Sequence, residues 1–385
     1  MEENKTLNMM GSYGSYFSNQ ILGDAPGNLS FRSGKWKDAK EWRSLARKRL
    51  LECMAPIKID KRPEVKIESI KEFDGLHVEQ LSWQLPYGPR TEAVFLKPAG
   101  CKDKLPGVLG LHDHAGNKFL GWRKIAQCDN NPWLIQKEHH KKYYSERPWA
   151  NELARSGYAV LIHDAFTFAS RRVRVSEVPE NLRGNGVDPE PTDLEGVNRY
   201  IAFGGIHEAI LQKSLMCSGT TFAGVYAVED QCALDILANR TDVDTSRLGC
   251  GGLSGGGMRT VYLSAIDERI RCAIPAGFMT TWRDFLLNKC YTHTWMIYLS
   301  LLPQDLDFPE IVSLGAPAAT LILNCNEDKL FTLSEMKRAD QITRELFEKC
   351  GDGDKYHCSF YPGGHKLDIP MQNEAFAWFD KHLKK

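Results

Sequence analysis

The chain has 385 residues, 49 Lys+Arg against 49 Asp+Glu, and a pI near 7.1. That length allows one large domain or two ordinary ones, and zero formal charge removes the electrostatic footprint of non-specific nucleic-acid or anionic-membrane binding. No apolar run reaches the roughly 18 residues of a membrane span, and Met1-Glu2-Glu3-Asn4-Lys5 lacks the basic and apolar regions of a secretory signal.

Eleven cysteines are scattered without a C-x-x-C pair. Several, such as Cys250, Cys272 and Cys325, sit in apolar strand-like runs where a free thiol acts as a small hydrophobe. An odd count without a signal predicts free thiols and a cytoplasmic location.

Residues 1–34, rich in Gly, Ser and Asn, have no sustained period and read as an arm lying on the surface or against a partner subunit, so a homo-oligomer is an open expectation. Over 37–54, Trp42, Leu45, Ala46, Leu50 and Met54 recur at helical spacing. Residues 65–98 alternate in strand fashion, with Tyr87-Gly88-Pro89 as a turn, and predict an antiparallel opening of a sheet. Short apolar strands then follow at 107–112, 158–163, 247–252, 271–275, 319–324 and 356–361. Helical patterns fall at 149–155, 223–238, 257–266, 334–349 and 373–383. Apolar strands alternating with helices predict an α/β fold, a mostly parallel sheet covered on both faces. Three long stretches, 115–146, 166–218 and 279–313, break this rhythm and read as lids or pocket walls. The predicted organisation is an N-terminal arm and helix over 1–60 and one catalytic domain over 61–385.

The run Gly249-Cys250-Gly251-Gly252-Leu253-Ser254-Gly255-Gly256-Gly257 contains G-x-S-x-G between a strand and a helix. This is the pattern of a nucleophile elbow, in which a sharp turn lifts a serine hydroxyl clear of the sheet. A Walker A loop would need Gly-Lys-Ser/Thr, which does not follow, and a dinucleotide loop from Gly249 would put its third glycine on Ser254. The Gly255 N–H, at the start of a helix, is placed to stabilise an oxyanion. A serine needs a base, oriented by an acid, further along the chain. Asp328, with Glu327 as the alternative, follows the strand at 319–324, and His365 follows the strand at 356–361 on a Gly-rich loop. The order Ser, acid, His is the one this elbow requires. A second oxyanion N–H is expected after the strand at 107–112, at His114 or Ala115. His112-Asp113-His114 is also a rival metal-binding run, although no helical H-E-x-x-H pair accompanies it and His139-His140 lies in a polar stretch.

On these residues the chain resembles the α/β-hydrolase superfamily from about Val65 to the C-terminus, and is similar to its dienelactone-hydrolase-like and acetyl-xylan-esterase-like bacterial serine hydrolases. The resemblance is carried by His112-Asp113-His114-Ala115-Gly116, by Gly252 to Thr260, by Ala316-Pro317 with Asp328-Lys329-Leu330-Phe331, and by Gly363-Gly364-His365. It implies an eight-stranded, mostly parallel sheet, with Ser254 as nucleophile, Asp328 as acid and His365 as base. Dienelactone hydrolases proper carry a cysteine nucleophile, whereas position 254 is serine.

The expected activity is that of a serine carboxylesterase, with O-deacetylation of a carbohydrate as its candidate reaction, needing neither metal nor organic cofactor. An amidase or peptidase, a lactone hydrolase, a metal hydrolase on His112-Asp113-His114 and a non-catalytic binding protein are the rivals. Trp282, Trp295 and Trp122, with Trp133 and Trp149 nearby, are candidate pocket walls. Arg171, Arg172 and Arg174 form a basic cluster able to take a carboxylate. The expected partner is a small-molecule or carbohydrate ester, with neither nucleic acid nor membrane.

Overall fold

The computed structural model describes residues 7–384. Its centre is one sheet of nine strands in the order β1-β2-β3-β5-β4-β6-β7-β8-β9. The eight strands implied by the resemblance fall one short because residues 65–98 turn twice. β1 (Val65–Phe73) and β2 (Leu76–Trp83) are separated only by Asp74 and Gly75, at φ 49° and 74°. Positive φ at both central residues is the two-residue hairpin turn that Asp-Gly favours. β3 (Thr91–Pro98) follows the second turn and pairs antiparallel with β5 (Ala159–His163).

The remaining strands, β4 (Leu105–Gly110), β6 (Val243–Leu253), β7 (Ile270–Ala276), β8 (Ala319–Cys325) and β9 (Tyr356–Tyr361), run parallel with β5. Every residue of β4, β5 and β8 is buried, which is why these strands read as continuous apolar runs instead of alternating. β1 at the edge carries Lys66, Glu68, Lys71 and Glu72 exposed, charges that discourage further strand pairing.

The main helices are α1 (Ala39–Met54), α2 (Leu134–Tyr144), α3 (Trp149–Arg155), α4 (Leu194–Cys217), α5 (Phe222–Ala238), α6 (Gly255–Ile266), α7 (Leu333–Lys349) and α8 (Ile369–Leu383). On one face of the sheet Trp149 and Leu153 of α3 and Phe376 and Phe379 of α8 share a core with Val108, Val160, Ile274 and Leu323. On the other, Leu234 and Leu237 of α5 and Leu263 of α6 pack with Phe95, Leu109, Leu161 and Ala273. Two of the long stretches contain helices that the sequence pattern hides. α2 lies within 115–146, and the 24-residue α4 lies within 166–218, with Gly204-Gly205 in its middle.

Residues 7–34 lie along the chain's own third insertion; residues 1–6 of the arm fall outside the described residues. The Met9 N–H donates to the Leu287 carbonyl, and the Asn28 and Leu29 N–H groups donate to Gln304 and Asp305. Phe31 stacks on Trp42 of α1 with ring centroids 5.0 Å apart. Among the described residues no helix is long and apolar enough to cross a membrane.

The arm is also tied down by the Ser30 hydroxyl, which donates to the buried Glu310 carboxyl. Burial pushes Glu310 up to about 7, above its ordinary 4.5. The folded state therefore binds this proton more tightly than the unfolded chain, so the contribution is full below about pH 4.5 and is lost as pH rises to about 7. Glu310→Gln is expected to remove a loss of stability on the order of 1–3 kcal/mol between pH 5 and 7.5. Urea midpoints of both proteins at the two pH values measure it, and parallel pH dependences would contradict it.

Candidate active site

β6 ends at Leu253 and α6 begins at Gly255, leaving Ser254 as the whole turn at φ 58° and ψ −119°. Side chains are rarely held in this region, and such strain persists only where the surroundings enforce it. Here the Ser254 N–H donates to the Ala276 carbonyl at 2.8 Å. The glycines are dictated by β4, whose chain leaves the sheet directly beside the elbow. A Cβ on Gly252 would lie 2.1 Å from the Leu111 carbonyl oxygen, and one on Gly256 2.0 Å from the same atom. Gly256→Ala should therefore cost about 3 kcal/mol or more, because backbone on both sides leaves the methyl nowhere to go. A denaturation midpoint close to that of the parent protein would refute this packing.

Asp328 sits just past β8, buried at 4% exposure, and its Oδ1 accepts the Leu330 N–H at 2.9 Å. Its Oδ2 lies 2.6 Å from His365 Nδ1. Glu327, the alternative acid, braces the histidine loop instead: its carboxylate accepts the Gly363 N–H at 3.2 Å, and its own N–H donates to Gly363 O at 3.1 Å. A carboxylate only accepts, so Nδ1 carries the proton and Nε2 keeps its lone pair. That Nε2 is buried and has no hydrogen-bond partner among the described residues. The ring packs over Gly277, where a Cβ would fall 3.0 Å from His365 Cε1 and 2.9 Å from Cδ1 of Leu253, the residue before Ser254.

The Gly255 N–H opens α6, and the His114 nitrogen lies close by, 3.0 Å from where a Cβ on Gly255 would be. The Asp113 carbonyl belongs to the same peptide group as the His114 N–H. It accepts from Lys124 Nζ at 2.7 Å and from His112 Nδ1 at 3.0 Å. Because a trans peptide points its C=O and N–H in opposite directions, holding the oxygen aims the N–H. Lys124 also donates to His114 O at 2.9 Å and is fully buried, which lowers it to about 7. A neutral amine still has two N–H groups for these two carbonyls.

The flanking side chains hold this loop rigid. Burial opposes ionisation of Asp113, but His139 and Lys124 outweigh it and keep the carboxyl well below the usual range. Its Oδ2 accepts from His139 at 3.0 Å and Tyr144 at 2.5 Å, both on α2. His114 Nε2 lies 2.9 Å from Glu208 of α4, which also binds Lys118 Nζ, the Thr294 hydroxyl and the Trp295 N–H. One carboxylate thus joins the loop after β4 to the second and third insertions. The ring nitrogens that a metal would need are taken: His112 Nε2 accepts from the Ala165 N–H, and His114 Nδ1 from the Gly116 N–H. Among the described residues no three His, Cys, Asp or Glu side chains form a set able to hold a metal ion.

A mainly apolar cavity of about 830 Å³ lies between the arm and the third insertion, with Phe17, Leu286, His293 and Tyr298 among its walls. Ser254 is not part of its lining; His293, one of its walls, has its ring 4.8 Å from Phe331, three residues beyond Asp328. His293 Nδ1 meets Lys289 O at 3.1 Å, its Nε2 is buried without a partner among the described residues, and burial lowers it to about 4. Of the three candidate tryptophans, Trp282 and Trp295 line this cavity, Trp282 buried and Trp295 exposed at its rim. Trp122 is buried elsewhere, beneath the Arg123 guanidinium at 4.1 Å. Lys124, Glu208 and His293 escape sequence reasoning because each lies in a long insertion with no motif.

Residues 214–319 match the prolyl oligopeptidase family, just over a quarter of the chain, including Ser254 but neither Asp328 nor His365. The Bacillus subtilis protein YtaP, named as a hydrolase, is 23% identical over 343 residues, covering 89% of this chain and all of YtaP. Among solved structures, a Bacteroides fragilis protein named as an acetyl xylan esterase superposes with a TM-score of 0.64 at 15% identity, covering 94% of this chain and 84% of its own. A glucuronoyl esterase from Solibacter usitatus gives 0.61 at 16% identity, covering 92% and 97%. With the parallel sheet and the elbow after β6, these likenesses establish an α/β-hydrolase fold.

Proposed function

We propose that this chain is a serine hydrolase of carboxylic esters, and that its substrate class is an O-acylated carbohydrate. The observation that carries the reading is the Asp328–His365 pair at 2.6 Å, whose Nε2 has no partner among the described residues and whose ring packs over Gly277 close to Leu253, the residue before the strained turn at Ser254. In this reading His365 Nε2 takes the hydroxyl proton as Ser254 Oγ attacks the ester carbonyl. Asp328 holds the tautomer and stabilises the imidazolium. The N–H groups of Gly255 and His114 receive the oxyanion, and a well-placed donor of this kind is worth about 3 kcal/mol. The imidazolium then protonates the leaving alcohol, and water, activated by the same histidine, releases the acid from Ser254. No step calls for a metal or organic cofactor.

The carbohydrate part of the proposal draws on the esterase names of the structural neighbours and on the aromatic walls contributed by the third insertion. The prolyl oligopeptidase match favours a second reading, amide cleavage by the same residues. A panel of acetylated sugars, p-nitrophenyl acetate, lactones and peptide amides, with Ser254→Ala as blank, separates the two. Turnover of acetylated sugars at least about 100-fold above the amides is expected, a difference of roughly 2.7 kcal/mol in barrier. Amide turnover matching or exceeding that of the esters would favour the second reading, and activity surviving in the blank would sink both.

A further inference from the structure

A second cleft, of about 470 Å³, opens beside the start of β3, and none of Ser254, Asp328 or His365 lines it. It holds three guanidiniums, those of Arg123, Arg172 and Arg174, and among the described residues none of them has a carboxylate within 4.0 Å. Arg171, their neighbour in sequence, behaves differently: it is buried and paired with Glu229 at 2.7 Å. Two of the three cations, Arg123 and Arg172, are held in place by aromatic rings. Arg123 lies 4.1 Å from the Trp122 ring and 4.3 Å from Trp133. Arg172 lies 5.1 Å from Phe119 and 5.6 Å from Tyr200. Stacked guanidiniums lose little further entropy on binding and keep their N–H edges open. Arg172 spends one N–H on the Ala169 carbonyl at 3.0 Å, and its buried Nε has no partner.

Three carboxyls share the cleft. Asp188 is occupied with the N–H groups of Val175 and Ser176, each at 2.9 Å. Glu92 and Glu190 are exposed, and among the described residues their carboxyls make no hydrogen bond. Guanidiniums that bind carboxylate beside carboxyls that accept hydroxyl protons are complementary to a molecule bearing both groups. We infer that this cleft is a binding site for a hydroxylated carboxylic acid of sugar size, its carboxylate on Arg123, Arg172 and Arg174 and its hydroxyls on Glu92 and Glu190. None of these residues takes part in the proposed ester hydrolysis.

Calorimetric titration of the full chain at constant ionic strength tests this, with sodium D-glucuronate as probe and D-glucose and inorganic phosphate as controls. Glucuronate is expected to bind one-to-one with a Kd of about 1 mM or tighter, and both controls at least about 10-fold more weakly. Arg174→Gln should weaken glucuronate at least about 5-fold, and Arg123→Gln should do the same by a separate substitution, each checked for an unchanged melting temperature. Absence of glucuronate binding, equal binding of glucose, or unchanged affinity in both folded variants would overturn the inference. Phosphate binding as tightly as glucuronate would also overturn it, since the site would then read charge alone.

Discussion

Ser254→Ala and His365→Ala are each expected to lower kcat on a turned-over ester by about 10⁴- to 10⁶-fold, and the double variant by no more than the worse single one. The reason is that in the proposed mechanism the two residues act as one device. Without the Nε2 lone pair the hydroxyl keeps its proton, and without the hydroxyl the base has nothing to activate. Each single loss therefore removes the whole nucleophilic route, leaving only what the oxyanion donors and binding supply. Asp328→Asn should fall about 10⁴-fold, because the amide donates where the carboxylate accepts and favours the wrong tautomer. Steady-state kinetics on the four proteins measure these values. Additive losses in the double variant would mean that Ser254 and His365 work separately.

Lys124→Met is expected to lower kcat by about 10- to 100-fold while KM stays within about 3-fold. In the proposed mechanism Lys124 is a positioning residue: its Nζ holds the Asp113 carbonyl at 2.7 Å, and the His114 N–H lies on the far side of the same peptide. The developing oxyanion is stronger in the transition state than in the bound ester, so a misaimed donor appears in kcat. A merely structural lysine would instead lower the melting temperature and leave the kcat of the folded fraction intact. Active-site titration normalises for folded protein and separates the two. Burial makes Arg a poor rescue, since a larger planar fork has no space in a fully buried site.

The strands and helices legible in the sequence were those whose burial is uniform or whose faces are distinct. β8, buried throughout, runs one residue past the expected 319–324, and α3 keeps 149–155. α7 starts one residue earlier than its pattern suggests, within the usual fraying of a helix end. The hairpin at Asp74-Gly75 was present in the sequence as the strongest short-range turn signal, and the longer alternation around it concealed it. α4 was not legible, because Gly204-Gly205 interrupts its middle and its stability comes from packing and from Glu208, which only the folded chain supplies.

The candidate site divides in the same way. Ser254, Asp328 and His365 stand in motifs at strand ends, so residue type and order are enough to single them out. The choice of Asp328 over Glu327 as the partner of His365 depends on which carboxylate the loop turns inward, and the sequence left both open. Lys124 and Glu208 act through backbone carbonyls and a histidine far away in sequence, and contacts of that kind have no linear signature.

The central claim, that Ser254 is the activated nucleophile, is tested most directly by labelling the native chain with a fluorophosphonate and mapping the adduct by mass spectrometry. One adduct per chain, on Ser254, formed at least about 100-fold more slowly after His365→Ala, is the predicted result. An adduct on any other residue, or no adduct from folded protein, would contradict it.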